Sequence, residues 1–126
     1  EICCAQTMVY MGLEQLGRDN PMLVQAVSGL CKGMRVGLTC GALTGSVCML
    51  GMFGDATHSN SVMVPELVEW FSANYEHDGS LNCLAVLEDD LEKRHEICPG
   101  IISSTYLEAK RILRENGFEV YDEFPD

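Results

Sequence analysis

Seven cysteines, at positions 3, 4, 31, 40, 48, 83 and 98, carry most of the chemistry available to this 126-residue chain. A thiolate is at once a nucleophile, a redox group and a soft metal ligand. An odd number cannot all pair within one chain, and a chain this large and apolar needs no disulfide framework. Several of the thiols are therefore expected as small buried residues, in a reducing compartment such as the cytoplasm, with a subset doing chemistry. The sequence holds no CxxC, no CxxCH and no His–Cys finger spacing. Any site must then gather its sulfurs from distant segments.

Local context separates the seven. Cys40 stands where Thr39 or Cys40 begins a helix. Amide N–H groups and the helix dipole favour a thiolate there, which predicts a pKa below the usual value of about 8.5 and the most reactive thiol of the chain. Gly41 removes the side chain that would crowd its sulfur. Cys98 precedes Pro99 at the expected start of the last helix and gains the same advantage. Cys83 falls in a polar turn between helices, a poor place for a core thiol. Cys3 and Cys4 are neighbours about 100° apart on a helix, so both cannot face one site well; Cys4 is the favoured member. Cys31, ending a helix, and Cys48, about 80° around the third helix from Cys40, read as packing residues.

The elements that position these residues read helix after helix. Apolar residues Met8, Val9, Met11, Leu13 and Leu16 mark a first helix over 2–16, stopped by Gly17. Asn20-Pro21 predicts a cap and first position for a second helix reaching Leu30. Gly33 to Leu38 reads as a glycine-bounded loop, and a third helix is expected over 40–53. Val36 to Gly54 contains no charged residue. A membrane span needs about 20 apolar residues. The glycine, serine and threonine content here favours instead a helix buried on all sides. Gly37, Gly41 and Gly45 recur every fourth residue and would let another helix approach closely, which predicts a homodimer burying this strip. Asp55 to Asn60 reads as loop and 62–77 as a fourth helix. Glu88-Asp89-Asp90 reads as a solvated acidic face. Ile101 to Leu113 form the stripe of a last helix that starts at Cys98-Pro99 and ends at Gly117, with a tail over 116–126. The expected fold is one all-α domain, a compact bundle of about five helices around the glycine-rich third.

Composition narrows the function classes. Eight Lys and Arg against nineteen Asp and Glu give a net charge of −11. That sign disfavours phosphate-based nucleic-acid binding and anionic membrane surfaces. There is no P-loop, Rossmann glycine pattern, HExxH or GxSxG, so no nucleotide is expected. His58, His77 and His95 read as surface groups, and the methionines as core filler.

Thr39-Cys40-Gly41-Ala42-Leu43-Thr44-Gly45 is a CGAxxG element, and Cys4-Ala5-Gln6 lies in the first helix. Gly33-Met34 precedes the element and Leu50-Gly51 follows it. One cysteine comes after the fourth helix and another opens the last. Over about residues 3–113 the chain resembles the C_GCAxxG_C_C family, whose proteins are described as redox-active. The resemblance implies a four-cysteine site of Cys4, Cys40, Cys83 and Cys98; among these, the expected helix-start positions of Cys40 and Cys98 make them the candidates for the redox chemistry itself. Related domains occur in cytochromes holding an iron–sulfur centre, so the resemblance implies an iron–sulfur cluster that passes electrons to a redox partner protein, without covalent haem. Cys3, Cys31 and Cys48 depart from the family pattern, and Cys3 beside Cys4 leaves the first ligand open between the two. Four thiolates from separated segments suit iron–sulfur or zinc ligation, and equally a pair of redox disulfides. Spacing does not separate these readings. The rivals to the cluster are a metal-free thiol–disulfide protein, in which Cys40 attacks or is attacked and a second cysteine resolves, and a scaffold with structural zinc. Zinc is disfavoured by the missing chelating loops.

Overall fold

A computed structural model describes residues 2–87 and 91–122. It is all-α, and among the described residues there is no strand. Helix α1 (Cys4–Leu16) ends where Gly17 turns left-handed at φ 65°. Helix α2 (Pro21–Ala26) is capped by Asn20, whose side chain accepts the Leu23 amide at 3.1 Å, and runs on as a 3₁₀ turn to Leu30. Helix α3 (Gly41–Gly51) follows a loop, with Cys40 as its N-cap. These boundaries follow the local signals in the sequence closely.

Three boundaries differ. The segment expected as loop at 55–60 is helical: α4 (Ala56–His58) is capped by Asp55, whose carboxylate accepts the Thr57 amide at 3.0 Å. It continues through one wide turn, Ser59–Met63, into α5 (Val64–Tyr75). A wide turn of this kind shifts the phase of the apolar stripe, so the polar first turns show no helical period. A short α6 (Cys83–Val86) stands where a turn or short start was expected. Helix α7 (Arg94–Glu115) begins before Cys98, not at it, and carries Pro99 inside its second turn. Pro99 is the sixth residue of α7, past the first-turn amides that lack an internal partner, so it leaves out one hydrogen bond of the helix ladder. The expected acidic face at 88–90 and the last four tail residues lie outside the described residues.

α3 is the centre of the bundle. Its Leu43, Met49 and Leu50 join Met8 of α1, Leu67 and Phe71 of α5 and Ile112 and Leu113 of α7 in one core. α1 packs most closely along α3. A Cβ placed on Gly45 would lie 2.6 Å from the Ala5 Cα and 2.8 Å from its carbonyl oxygen. The bare face foreseen on α3 therefore receives a helix of its own chain. Gly37 does not belong to that face; it sits in the preceding loop at φ 80°. The subunit contact predicted for the strip is thus replaced by an intrachain one. Among the described residues no helix is long and apolar enough to cross a membrane. Residues 118–122 fold back: Phe118 meets Phe53 edge-on, and the buried Gln15 amide donates to the Tyr106 hydroxyl and the Tyr121 carbonyl while accepting the Tyr121 amide, each at 2.7 Å.

Candidate functional site

Cys3, Cys4, Cys40, Cys83 and Cys98 line one cleft of about 530 Å³. Four elements deliver them. Cys3 is the N-cap of α1 and Cys4 its first residue. Cys40 caps α3, Cys83 opens α6 and Cys98 sits in the second turn of α7. Ile101, Ile102, Leu84 and Leu87 make much of the remaining wall apolar, and Lys32 and Arg35 add the charged groups.

Two devices in the chain bring these cysteines to one cleft. The first is Gly41. A Cβ at that position would lie 2.5 Å from the Cys4 sulfur, so the glycine of the CGAxxG element is the seat on which Cys4 rests. The second is an isolated antiparallel bridge between Thr39 and Asn82. The Cys40 amide donates to the Leu81 carbonyl at 3.0 Å, and the Cys83 amide donates to the Leu38 carbonyl. These paired bonds hold the residues before α3 and α6 side by side, and so place Cys40 beside Cys83. Cys48 lies elsewhere, packed against the small cluster of Val9, Leu13 and Val27, and Cys31 is not part of the cleft wall.

Electrostatics overturn the expected reactivity of Cys40. It does cap a helix, and the Ala42 and Leu43 amides favour its thiolate. Burial outweighs them, and with Cys4 and Cys83 adding smaller contributions the thiol is pushed from its ordinary value of 9.0 up to about 12. The sequence reveals the helix start but not the depth at which it is buried; loss of water costs the thiolate more than two amides return. Cys98 loses the helix-start argument altogether, because four residues of α7 precede it. In reduced, metal-free protein, Cys40 is expected to alkylate slowly at pH 7 and faster as pH rises toward that value. Mass spectrometry after timed labelling checks this; labelling at the rate of an exposed thiol contradicts it.

Cys3 takes a part that sequence reasoning missed: it forms a disulfide with Cys31, across a Cα–Cα distance of 6.0 Å. Nothing in the spacing, 28 residues apart, signals that pairing. The bond leaves Cys4 as the thiol of the Cys3–Cys4 pair. The loop after Cys31 is unusual as well. Lys32, Gly33, Met34 and Arg35 are four successive left-handed residues, three of them not glycine. Such conformations persist only where the surroundings hold them. Here the Leu38 amide donates to the Gly33 carbonyl at 2.9 Å and Arg35 donates to the Ser28 carbonyl at 2.8 Å.

His58 and His77 give nothing to the cleft wall, and the side chain of His95 lies outside the described residues. His58 pairs with Asn116 at 2.8 Å and His77 faces Asp78. Met8, Met49 and Met63 are core residues as expected, but Met34 is exposed on the loop. Among the described residues, no group of three or more His, Cys, Asp or Glu side chains is close enough to hold a single metal ion.

A family model described as "Putative redox-active protein (C_GCAxxG_C_C)" matches residues 2–112. No curated protein and no solved structure matches the chain.

Proposed function

Because the chain belongs to the C_GCAxxG_C_C family, whose proteins are described as redox-active, we propose that it is an electron-transfer component in which Cys4, Cys40, Cys83 and Cys98 hold an iron–sulfur cluster. The observation that carries this reading is the shared cleft, which four separate elements supply with cysteine sulfurs. The donor chemistry fits: soft thiolates are the ligands iron–sulfur clusters take. A cluster of several irons and sulfides needs room between its ligands, and a cleft of about 530 Å³ is large enough to hold one.

When bound, the cluster would supply one-electron chemistry. The chain supplies the rest. The apolar walls lower the local polarity, and low polarity penalises the added negative charge of a reduced centre. Lys32, Arg35 and the amides at the start of α3 work in the opposite direction, offsetting the charge of bound thiolates. Binding would also take Cys40 from a neutral thiol to a ligated thiolate, so loading releases protons and weakens as pH falls.

The metal-free exchange reading requires Cys40 to attack or leave as a thiolate, and its burial counts against that role. Structural zinc remains the third reading. We place the protein in the cytoplasm, acting with a redox partner protein. Anaerobic purification, iron and acid-labile sulfide analysis and a visible spectrum test the proposal. Broad visible absorbance with matched iron and sulfide is expected. Colourless protein without iron, prepared under conditions that load known iron–sulfur proteins in the same host, overturns it; stoichiometric zinc would select the scaffold reading.

A further inference from the structure

We propose that the Cys3–Cys31 disulfide is a second redox centre, reduced by an external dithiol through attack at Cys3, and that it latches the wall of the cleft. Two independent observations carry this. The first is the unequal access of the two sulfurs. Cys3 is half-buried and lines the cleft, whereas Cys31 is fully buried and does not. A nucleophile arriving in the cleft reaches only one end of the bond. The second is what the bond ties together. Cys3 is the cap of α1, and Cys31 leads directly into the left-handed run Lys32–Arg35, whose Lys32 and Arg35 are cleft wall. The Cys31 backbone also abuts the start of α3, its Cα 3.4 Å from where a Gly41 Cβ would be. The disulfide thus joins one wall of the cleft to another beside the seat of Cys4.

The exchange proceeds in two balanced steps. A thiolate of the dithiol attacks the Cys3 sulfur. The Cys3–Cys31 bond breaks, its electron pair leaves on the Cys31 sulfur, and that sulfur takes up a proton. The second thiolate of the dithiol then attacks its own sulfur in the mixed disulfide, and Cys3 leaves and is protonated. Two electrons and two protons pass from the dithiol to the protein, and the dithiol becomes a disulfide. The reduced state finds a ready acceptor. The Gln6 side-chain oxygen already accepts the Cys3 amide at 3.2 Å and lies 3.4 Å from the Cys3 sulfur, while its amide donates to the Val24 carbonyl at 3.0 Å. A new Cys3 thiol can donate to that oxygen without rearrangement. Disulfides of reducing compartments are characteristically transient and catalytic ones, which agrees with an exchange role.

Opening the bond removes one anchor of a loop whose conformation depends on its anchors. Trypsin cuts after Lys32 and Arg35, so it reports the latch whatever the cleft contains. In protein purified without reductant, peptide mapping is expected to show Cys3 linked to Cys31. Dithiothreitol, as the probe dithiol, should open that link in the folded protein and accelerate cleavage after Lys32 and Arg35 several-fold. Glutathione followed by acid trapping should give an adduct on Cys3. A Cys31→Ser variant should show the fast cleavage without reductant and collect glutathione on Cys3. Wild-type protein with and without dithiothreitol provides the same comparison should that variant fold poorly. The proposal fails if the oxidised protein lacks the link, if dithiothreitol opens it only after unfolding in urea, if the adduct forms on Cys31, or if reduction leaves the tryptic cleavage unchanged. None of these readouts depends on a bound cluster.

Discussion

Adding one methyl group at Gly45 is expected to cost about 2–3 kcal/mol of folding stability, while the same change at Gly51, six residues along the same helix, should be neutral or stabilising by up to about 1 kcal/mol. Alanine is the better helix former at Gly45, and less decisively so at Gly51, the last residue of α3. The surroundings decide the sign. At Gly45 the new Cβ meets backbone atoms of Ala5 at 2.6 and 2.8 Å, and backbone cannot swing aside as a side chain can. α1 must retreat from α3, and the contacts of the fully buried Met8 and Val9 are loosened with it. At Gly51 nothing lies within 4 Å. Urea unfolding of the two variants beside the wild type measures both. Equal midpoints for Gly45→Ala and Gly51→Ala would show that α1 does not press on α3. Gly45→Leu enlarges the clash. Because the strip faces its own chain, this variant should lose stability without a change in subunit number, which light scattering checks.

Replacing Cys40 with serine is expected to abolish the visible absorbance of the loaded protein, whereas Cys48→Ser should leave it nearly unchanged. Cys40 lines the cleft and Cys48 does not. A serine hydroxyl is a hard and weakly acidic donor that poorly replaces a thiolate at iron. Cys4, Cys83 and Cys98 should each behave like Cys40, and removing any ligand should lower the temperature of unfolding because binding contributes to folding. An absorbance surviving Cys40→Ser but lost in Cys48→Ser would move the site out of the cleft.

What was legible in the sequence was local. Gly17, Asn20-Pro21 and the stripe around Phe71 announce stops, caps and faces by chemistry that acts within a turn or two, and the helices form accordingly. The glycine spacing on α3 correctly indicated a close approach, but spacing cannot say whose backbone approaches; the answer is α1 of the same chain. Pro99 misled for a related reason. Proline marks the first turn of a helix statistically, and here the helix simply begins one turn earlier on polar residues with no stripe to reveal them. The four cysteines named from the family resemblance do line one cleft. The pairing of Cys3 with Cys31 and the burial of Cys40 were not legible, since both follow from how α1 and the loop after α2 meet around α3.

The bridge between Thr39 and Asn82 has a consequence in time. Its two residues lie about forty positions apart in the chain. At a synthesis rate of about 5–20 residues per second, roughly 2–8 s separate their emergence from the ribosome. During that interval Cys3, Cys4, Cys31 and Cys40 are already outside, while Cys83 and the helix bearing Cys98 do not yet exist to cover them. The half-built protein therefore presents its thiols to the surrounding redox buffer before the cleft can close around them.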